Sequence, residues 1–221
     1  MSVKKYLKFL FLRLFYHLRS LKMLFWVPVV GMNVVVPLLN YRAFLKAGPD
    51  EMALLPLEFH QLMAVTAPVL CVWWAIFVMR EYVESDGAEV LYVCHARHKI
   101  WDAMALFLLF LIDISILYAV YIHFFSEMWR SFCMILCVCV FIFGLSFVLI
   151  FLTKSVSITL MIILLYVIVS ILFVEERNIF PFFSANSIAA PKLLKGFYLP
   201  LGASGLILSA GGIVLNRRNI I

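Results

Sequence analysis

The residues best suited to chemistry in this chain form a short charged segment, Arg80 to Lys99, between two long apolar stretches. The segment reads REYVESDGAEVLYVCHARHK and alternates acidic with apolar residues on both sides of Gly87. This pattern predicts a short helix along a membrane surface, a bend at the glycine and a second short helix. Such a segment is typical of a surface that contacts a soluble partner. An ordinary polar loop is the alternative, although a loop needs neither this length nor this alternation.

A second polar feature is Asp113, which lies near the middle of an apolar stretch. Carboxylates inside membrane spans are rare and usually face a bundle interior or an aqueous cavity. Asp113 is therefore either part of a translocation path or a protonated or hydrogen-bonded packing residue. Asn33, in the first apolar stretch, is the other candidate path residue. Glu58, His60 and Gln61 are predicted to lie near the outer interface and to face a vestibule or solvent.

Motifs that would make the chain an enzyme are absent or incomplete. The sequence holds no G-x-x-x-x-G-K-[ST], so it is not predicted to bind and hydrolyse a nucleotide by that route. Residues 202–205 read GASG and match the G-x-S-G of rhomboid intramembrane proteases, but all histidines precede them, and a serine nucleophile needs a base within reach. Small-residue helix packing is the better interpretation. Cys94, His95 and His98 lack the fourth ligand and the spacing of a zinc site, so no metal is predicted.

The composition indicates that the chain is surrounded by membrane lipid. Hydrophobic residues make up 66% and charged residues 14% of the 221 positions, with a mean hydropathy of +1.08. Soluble domains contain roughly 45–50% apolar and about 25% charged residues. The chain is therefore predicted to be an all-α membrane protein, a single transmembrane domain over 1–221. Six transmembrane helices are predicted, each near the length that a bilayer requires. They are Met23–Tyr41, Pro56–Met79, Ile100–Ile122, Ser131–Leu152, Val156–Val174 and Leu199–Leu215.

The basic residues predict the orientation. With the N-terminus inside, the inner segments hold twelve of the 18 Lys and Arg residues and the outer segments six, so both termini are predicted to be cytoplasmic and the protein multi-pass in the cell membrane. The net charge of +6 then reflects topology and attraction to anionic membrane lipid, with no nucleic-acid partner. Residues 2–21 are predicted to form an amphipathic interfacial helix, or else the basic flank of the first span. Residues 175–198 are predicted to be an outer loop that is apolar enough to re-enter the membrane.

The charged segment resembles one found in a known family, the membrane-spanning permease subunits of type-2 ABC exporters. In that family the second and third spans are joined by a segment of the form R-E-x-E-x-G-x-x-E-x-L, followed by a small cluster ending in S/A-R. The matching residues appear here in the same order: Arg80-Glu81, Glu84, Gly87, Glu89, Leu91 and Ala96-Arg97. Six spans, an amphipathic N-terminal helix and an outer loop between the fifth and sixth spans extend the resemblance over the whole chain.

The resemblance implies a mechanism. Segment 80–99 would be a cytoplasmic coupling helix that binds a groove on a soluble P-loop ATPase subunit. The coupling residues would be Glu81, Glu84, Gly87, Glu89 and Leu91. ATP and magnesium would be bound by that partner and no cofactor by this chain. Two permeases, as a homodimer or as a heterodimer with a related permease, would form a path that ATP-driven closure opens, with the first, second and fifth spans facing the substrate. The rival hypothesis is a non-ABC six-span channel or transporter with Asp113 in the pathway.

Overall fold

The structure, a computed structural model, describes residues 11–46, 55–84, 98–172 and 191–218, apart from residues 13 and 17. Within these ranges the chain is helical except for short turns, and no strand is present. The helices are α1 (Met23–Val30), α2 (Val36–Lys46), α3 (Leu55–Leu70), α4 (Trp73–Val83), α5 (His98–Phe124), α6 (Met128–Thr153), α7 (Val156–Leu172) and α8 (Leu199–Arg218). A π-helical segment, Gly31–Val35, joins α1 to α2, and a second one, Leu194–Tyr198, follows the helical turn Pro191–Leu193 and leads into α8.

Within the described part of the chain, five helical stretches are long and apolar enough to cross a bilayer: Met23–Arg42, Leu55–Arg80, Ile100–Phe124, Met128–Thr153 and Pro191–Leu215. They indicate a membrane-embedded protein and confirm the predicted all-α membrane class. The predicted count of six is not confirmed, because the fifth predicted span corresponds to a shorter apolar helix over Val156–Ser170. Residues 173–190, which complete that predicted span and hold most of the predicted outer loop, lie outside the described residues.

The last long helix begins earlier than the sequence predicts. The predicted start is Leu199, whereas the chain is helical from Pro191, so the final eight residues of the predicted outer loop are helical. Pro191 suits the first helical position because its missing N–H would have no partner there. Pro200 lies inside this helical stretch, where a proline is accommodated when the backbone of a membrane helix adjusts locally, and the π-helical segment lies just before it.

The first span is interrupted by proline, and a neighbouring helix compensates. Pro28 has no N–H to donate to the Leu24 carbonyl, four residues earlier. The indole Nε1 of Trp73, on α4, donates to that carbonyl at 3.0 Å. Trp74 Nε1 donates to the Phe25 carbonyl at 3.1 Å, and the Trp74 ring stacks on Phe25 with centroids 5.5 Å apart. The two tryptophans therefore hold α1 against α4 at the point where Pro28 leaves a gap in the backbone hydrogen bonds of α1.

The segment before α1 is a separate helical piece. The described residues between 11 and 20 are helical, and a turn at Leu21 and Lys22 follows, where Lys22 has a φ of 48°. Leu14 and Leu18 pack against the core, whereas Phe11 and Phe15 are exposed. The break at Lys22 separates this piece from α1. The predicted interfacial helix over 2–21 stays a prediction, since residues 2–10 lie outside the described residues.

Helices α6 and α8 approach each other closely, and this close approach depends on glycine. A Cβ added to Gly144 would overlap the Gly205 carbonyl oxygen, and a Cβ added to Gly205 would stand 2.5 Å from the Phe141 Cα. Gly202 and Gly212 extend the same α8 face along α6. Membrane helices commonly pack through such small residues because their backbones can then approach closely. The glycines of the GASG sequence therefore serve helix packing.

Candidate functional site

The structure brings together the two predicted path residues, Asn33 and Asp113, which are 80 positions apart in the sequence. Asn33 Nδ2 donates to Asp113 Oδ1 at 3.0 Å and to Oδ2 at 3.1 Å, and it also donates to the Val29 carbonyl at 3.2 Å. Asn33 lies in the π-helical segment between α1 and α2, and Asp113 lies midway along α5. We call these two residues the Asn33–Asp113 pair. π-helical turns within α-helices are frequent at functional sites.

The Asn33–Asp113 pair lies on the surface of the chain and not inside the bundle. The Asn33 side chain is exposed and Asp113 is half-buried. One helical turn away, Val30, Leu109 and Ile116 are exposed at 41%, 37% and 63%. None of the basic side chains that the structure describes forms an ion pair with Asp113; the described ion pairs are Arg80–Glu84 and Arg130–Glu127. The Asn33–Asp113 pair is therefore a polar pair with apolar surroundings on the surface of the chain.

A second polar group, which we call the sealed cluster, joins His60, Ser131 and Tyr118. His60 Nδ1 is 2.6 Å from Ser131 Oγ, and Tyr118 OH is 2.9 Å from the same oxygen. The three residues lie on α3, α6 and α5, and their exposures are 1%, 0% and 0%. The prediction that His60 faces a vestibule or solvent is wrong. Its face of α3 packs against α6, whereas Glu58, two residues earlier, is exposed.

Aromatic contacts close the sealed cluster. The Phe59 ring stacks on Tyr121 with centroids 3.6 Å apart and meets Tyr118 edge-on at 5.3 Å. Tyr121 OH accepts a hydrogen bond from Asn40 Nδ2 at 2.9 Å, which ties α2 to α5. A histidine and a serine in hydrogen-bond contact are the parts of a nucleophilic pair. Here neither is accessible to a substrate, so the arrangement serves packing.

Ser204, the serine of the GASG sequence, also has a structural role. Ser204 Oγ donates to the Leu201 carbonyl of its own helix at 2.6 Å. The buried histidine, His60, is bonded to Ser131 instead. Within the ranges that the structure describes, Ser204 and a histidine base are therefore not brought together. Among the described residues no three His, Cys, Asp or Glu side chains gather in a way that could hold a metal ion. Cys94 and His95 lie outside the described residues.

A third polar contact lies at the end of the second span, where the charged segment begins. Glu84 Oε1 accepts hydrogen bonds from the Val156 N–H at 2.6 Å and from Ser155 Oγ at 3.0 Å. Its other oxygen, Oε2, is 3.3 Å from Arg80 Nε. The first amides of a helix have no partner within the helix and carry partial positive charge. Glu84 therefore caps α7 from another helix, a contact that we call the Glu84 tie.

Electrostatics at the Glu84 tie favour the charged carboxylate. Burial alone would raise the pKa of Glu84, but the hydrogen bonds from Val156, Ser155 and the Ser157 amide, together with the Arg80 guanidinium, hold that pKa below the ordinary glutamate value. This contact was not predicted from the sequence. Its signal was the short turn Thr153–Ser155, which places the start of α7 at the same end of the bundle as the end of α4.

The other predicted coupling residues can be placed only in part. The backbone of Glu81 belongs to α4, whereas Gly87, Glu89 and Leu91 lie outside the described residues. No family model, curated protein or solved structure matches this chain. The features of this chain that bear on function are therefore the geometry of the Asn33–Asp113 pair and of the Glu84 tie, and the sequence resemblance of the charged segment.

Proposed function

We propose that this chain is the membrane-spanning permease subunit of an ATP-driven ABC exporter. The observation that carries the proposal is the Glu84 tie. Glu84 lies within the charged segment, four residues beyond the end of the second span, and its carboxylate accepts hydrogen bonds from Ser155 and from Val156, the first residue of α7. A force applied to the charged segment by a soluble partner would reach α4 through the chain. It would reach the turn between α6 and α7 through the carboxylate.

The long helices make such transmission effective. α6 is continuous from Met128 to Thr153 and packs along α8 through glycine contacts, so a movement of its end at Thr153 displaces two helices together. α7 also packs against α3 and α4. Protein interiors are close-packed and pass displacement between rigid elements with little compression. A permease with no nucleotide-binding motif must take its energy from another subunit, and the charged segment is the contact we assign to it.

The remaining parts of the proposal follow from the family resemblance. The coupling contact comprises Glu81, Glu84, Gly87, Glu89 and Leu91. A P-loop ATPase, which itself binds ATP and magnesium, docks at this contact, and two permeases, identical or related, enclose the path. The protein lies in the cytoplasmic membrane with both termini and the charged segment on the cytoplasmic side. The interfacial helix at 2–21 lies on the inner surface. Glu84 serves both the tie to α7 and the coupling contact. One of its oxygens is bonded to α7, and the side chain is 24% exposed.

The test is capture of the partner from the native membrane in mild detergent. The parent chain and two tryptophan variants are purified in parallel, and the proteins recovered with them are identified and quantified. Gly87→Trp places a bulky ring in the charged segment. Gly196→Trp is the matched control, because a Cβ added at Gly196 meets nothing within 4 Å. We expect a P-loop ATPase in equal amount with the parent and with Gly196→Trp, and its loss with Gly87→Trp. Absence of an ATPase from all three after crosslinking would overturn the proposal.

The second candidate function is a non-ABC channel or transporter, and the Asn33–Asp113 pair favours it. A polar pair on an apolar helix surface is expected wherever water or cargo crosses the membrane, whatever drives the transport. This reading predicts ATP-independent flux through the purified chain in liposomes. It also predicts that no ATPase is recovered. The capture experiment therefore separates the two functions before any substrate is known.

A further inference from the structure

We infer that the Asn33–Asp113 pair is a binding site for the positively charged head of an amphipathic cargo. The inference deepens the proposed function, on which it rests for the route by which the cargo moves. Its chemistry comes from the pair itself.

The orientation of the Asn33 amide is fixed by its neighbours. Val29 O and both Asp113 oxygens are acceptors, so the atom that faces them must be the nitrogen, Nδ2. The two amide hydrogens are therefore used within the chain. What remains at this exposed position is the Asn33 carbonyl oxygen and the further lone pairs of the Asp113 carboxylate. The pair offers acceptors to whatever approaches it.

The charge of Asp113 restricts which chemical class of ligand can bind. No basic side chain among the described residues pairs with Asp113, and the amide of Asn33 is a neutral donor. A carboxylate far from bulk water is costly unless a positive charge accompanies it. An ammonium, phosphonium or guanidinium group would supply that charge. A neutral or anionic head would leave the carboxylate uncompensated.

The surroundings require that the rest of the ligand be apolar. The exposed residues one helical turn from the pair are Val30, Leu109 and Ile116. A cation with an apolar body would bury this surface while its charge meets the carboxylate. A second copy of the chain presenting the same face would set acceptors against acceptors. The observations therefore favour a cationic amphipathic cargo over direct contact between two identical pairs.

The test uses two probes of matched size and shape and opposite charge, tetraphenylphosphonium and tetraphenylborate. Equilibrium binding of each labelled ion is measured on the full-length chain in lipid nanodiscs, with empty nanodiscs subtracted. We expect the parent to bind the phosphonium at least about tenfold more tightly than the borate. Asp113→Asn should weaken phosphonium binding about tenfold, and Asp113→Glu should retain it. Glu58→Gln is the matched control, because it removes an exposed carboxylate from another helix and should leave binding unchanged.

Three results would overturn the inference: no preference for the phosphonium in the parent, unchanged binding in Asp113→Asn, or an equal loss in Glu58→Gln. Where Asp113→Asn does not fold, Asp113→Glu decides, since it keeps the charge. If neither probe binds and Asp113→Asn instead separates a dimer of the chain into monomers, the pair is an interface between copies. The capture experiment is scored on the same preparations. An ATPase partner without phosphonium binding removes the cargo assignment alone, and phosphonium binding without an ATPase removes the exporter alone.

Discussion

The sealed cluster and the Asn33–Asp113 pair are both polar groups held by membrane-spanning helices, yet their surroundings are opposite. His60, Ser131 and Tyr118 are at most 1% exposed, and aromatic rings enclose them. The Asn33–Asp113 pair lies on the surface of the chain, with acceptors left over. The sealed cluster contains no carboxylate, whereas the pair contains one. Of the two groups, only the Asn33–Asp113 pair is accessible from outside the chain and carries a carboxylate that needs a positively charged partner.

The difference shows how one chain uses polarity in lipid for two purposes. A buried polar group is stable only when its hydrogen bonds are made, and then it holds helices in one arrangement. The sealed cluster does this for α3, α5 and α6. A polar group that is left incomplete at a surface costs free energy unless something completes it. The Asn33–Asp113 pair is of this second kind. Mutations in the two regions should therefore change different properties.

The largest effect on stability is expected from His60→Ala. It removes a buried ring and leaves Ser131 Oγ without its 2.6 Å contact, which together should lower the free energy of unfolding by about 2–4 kcal/mol. Thermal and denaturant unfolding in detergent micelles measure this loss. His123→Ala, at an exposed position near the end of α5, is the control and should change stability by less than about 0.5 kcal/mol. Equal losses in both variants would mean that the sealed cluster does not hold the helices together.

Ser131→Ala should have the next largest effect. The serine oxygen joins His60 to Tyr118, so its removal takes away one partner from each of two buried groups. The expected loss of stability is about 1–3 kcal/mol. Phosphonium binding should stay at the parent value in this variant. Ser209→Ala, whose hydroxyl bonds the Gly205 carbonyl of its own helix, provides the comparison. If folded Ser131→Ala bound the phosphonium less tightly, the sealed cluster and the Asn33–Asp113 pair would have to be regarded as one site.

The Glu84 tie should contribute a smaller, pH-dependent term. Because folding lowers the pKa of Glu84, the folded state favours its charged form. The tie therefore stabilises the protein above the ordinary glutamate pKa of about 4.3, and this stability is lost as the pH falls through the lower folded-state value. At pH 7, Glu84→Gln should cost about 0.5–1 kcal/mol, since the side chain is partly exposed and screened.

Unfolding of the parent and Glu84→Gln across pH 3–7 tests this term, because the other carboxylates titrate in both proteins and cancel in the difference. The difference should be constant near neutral pH and disappear in acid. A difference that grows as the pH falls would contradict the sign of the pKa shift. Glu127→Gln, which removes the surface partner of Arg130, should show little difference at any pH.

Asn33→Ala should have the smallest effect on stability. The side chain is exposed, and its removal should change the free energy of unfolding by less than about 0.5 kcal/mol. Phosphonium binding should weaken less than in Asp113→Asn, because Asp113 still supplies the charge while the site loses one acceptor, the Asn33 carbonyl oxygen. The same unfolding and binding measurements apply. A stability loss as large as that of His60→Ala would show that the Asn33–Asp113 pair is a structural contact and would remove the contrast between the two regions.

The sequence predicted the class of the fold and most helix positions. Pro56–Met79 was predicted for a helical stretch observed over Leu55–Arg80, and Ser131–Leu152 for one over Met128–Thr153. Long apolar runs define membrane helices through length and composition alone, so no tertiary information is needed. The start of the last helix was missed by eight residues, because local backbone adjustment beside a proline leaves no pattern in a single sequence.

The sites were harder to predict because a helix that is apolar on all sides does not reveal which face meets its neighbours. The sequence selected Asn33 and Asp113 as polar residues in apolar stretches, but it did not place them together. It put His60 at a vestibule because the residue lies near a helix end. Burial there depends on which side of α3 faces α6, and that is decided by packing across 71 residues of sequence.

The most direct test of the account is ATP-driven accumulation of tetraphenylphosphonium in inside-out membrane vesicles that contain this chain and its native partners, with the membrane potential collapsed by an ionophore. The account predicts accumulation on addition of ATP in the parent and in Glu58→Gln. It predicts none in Asp113→Asn or Gly87→Trp, and none of tetraphenylborate in any of them. Equal ATP-driven accumulation in the parent and in Asp113→Asn, or none in the parent, would contradict the account.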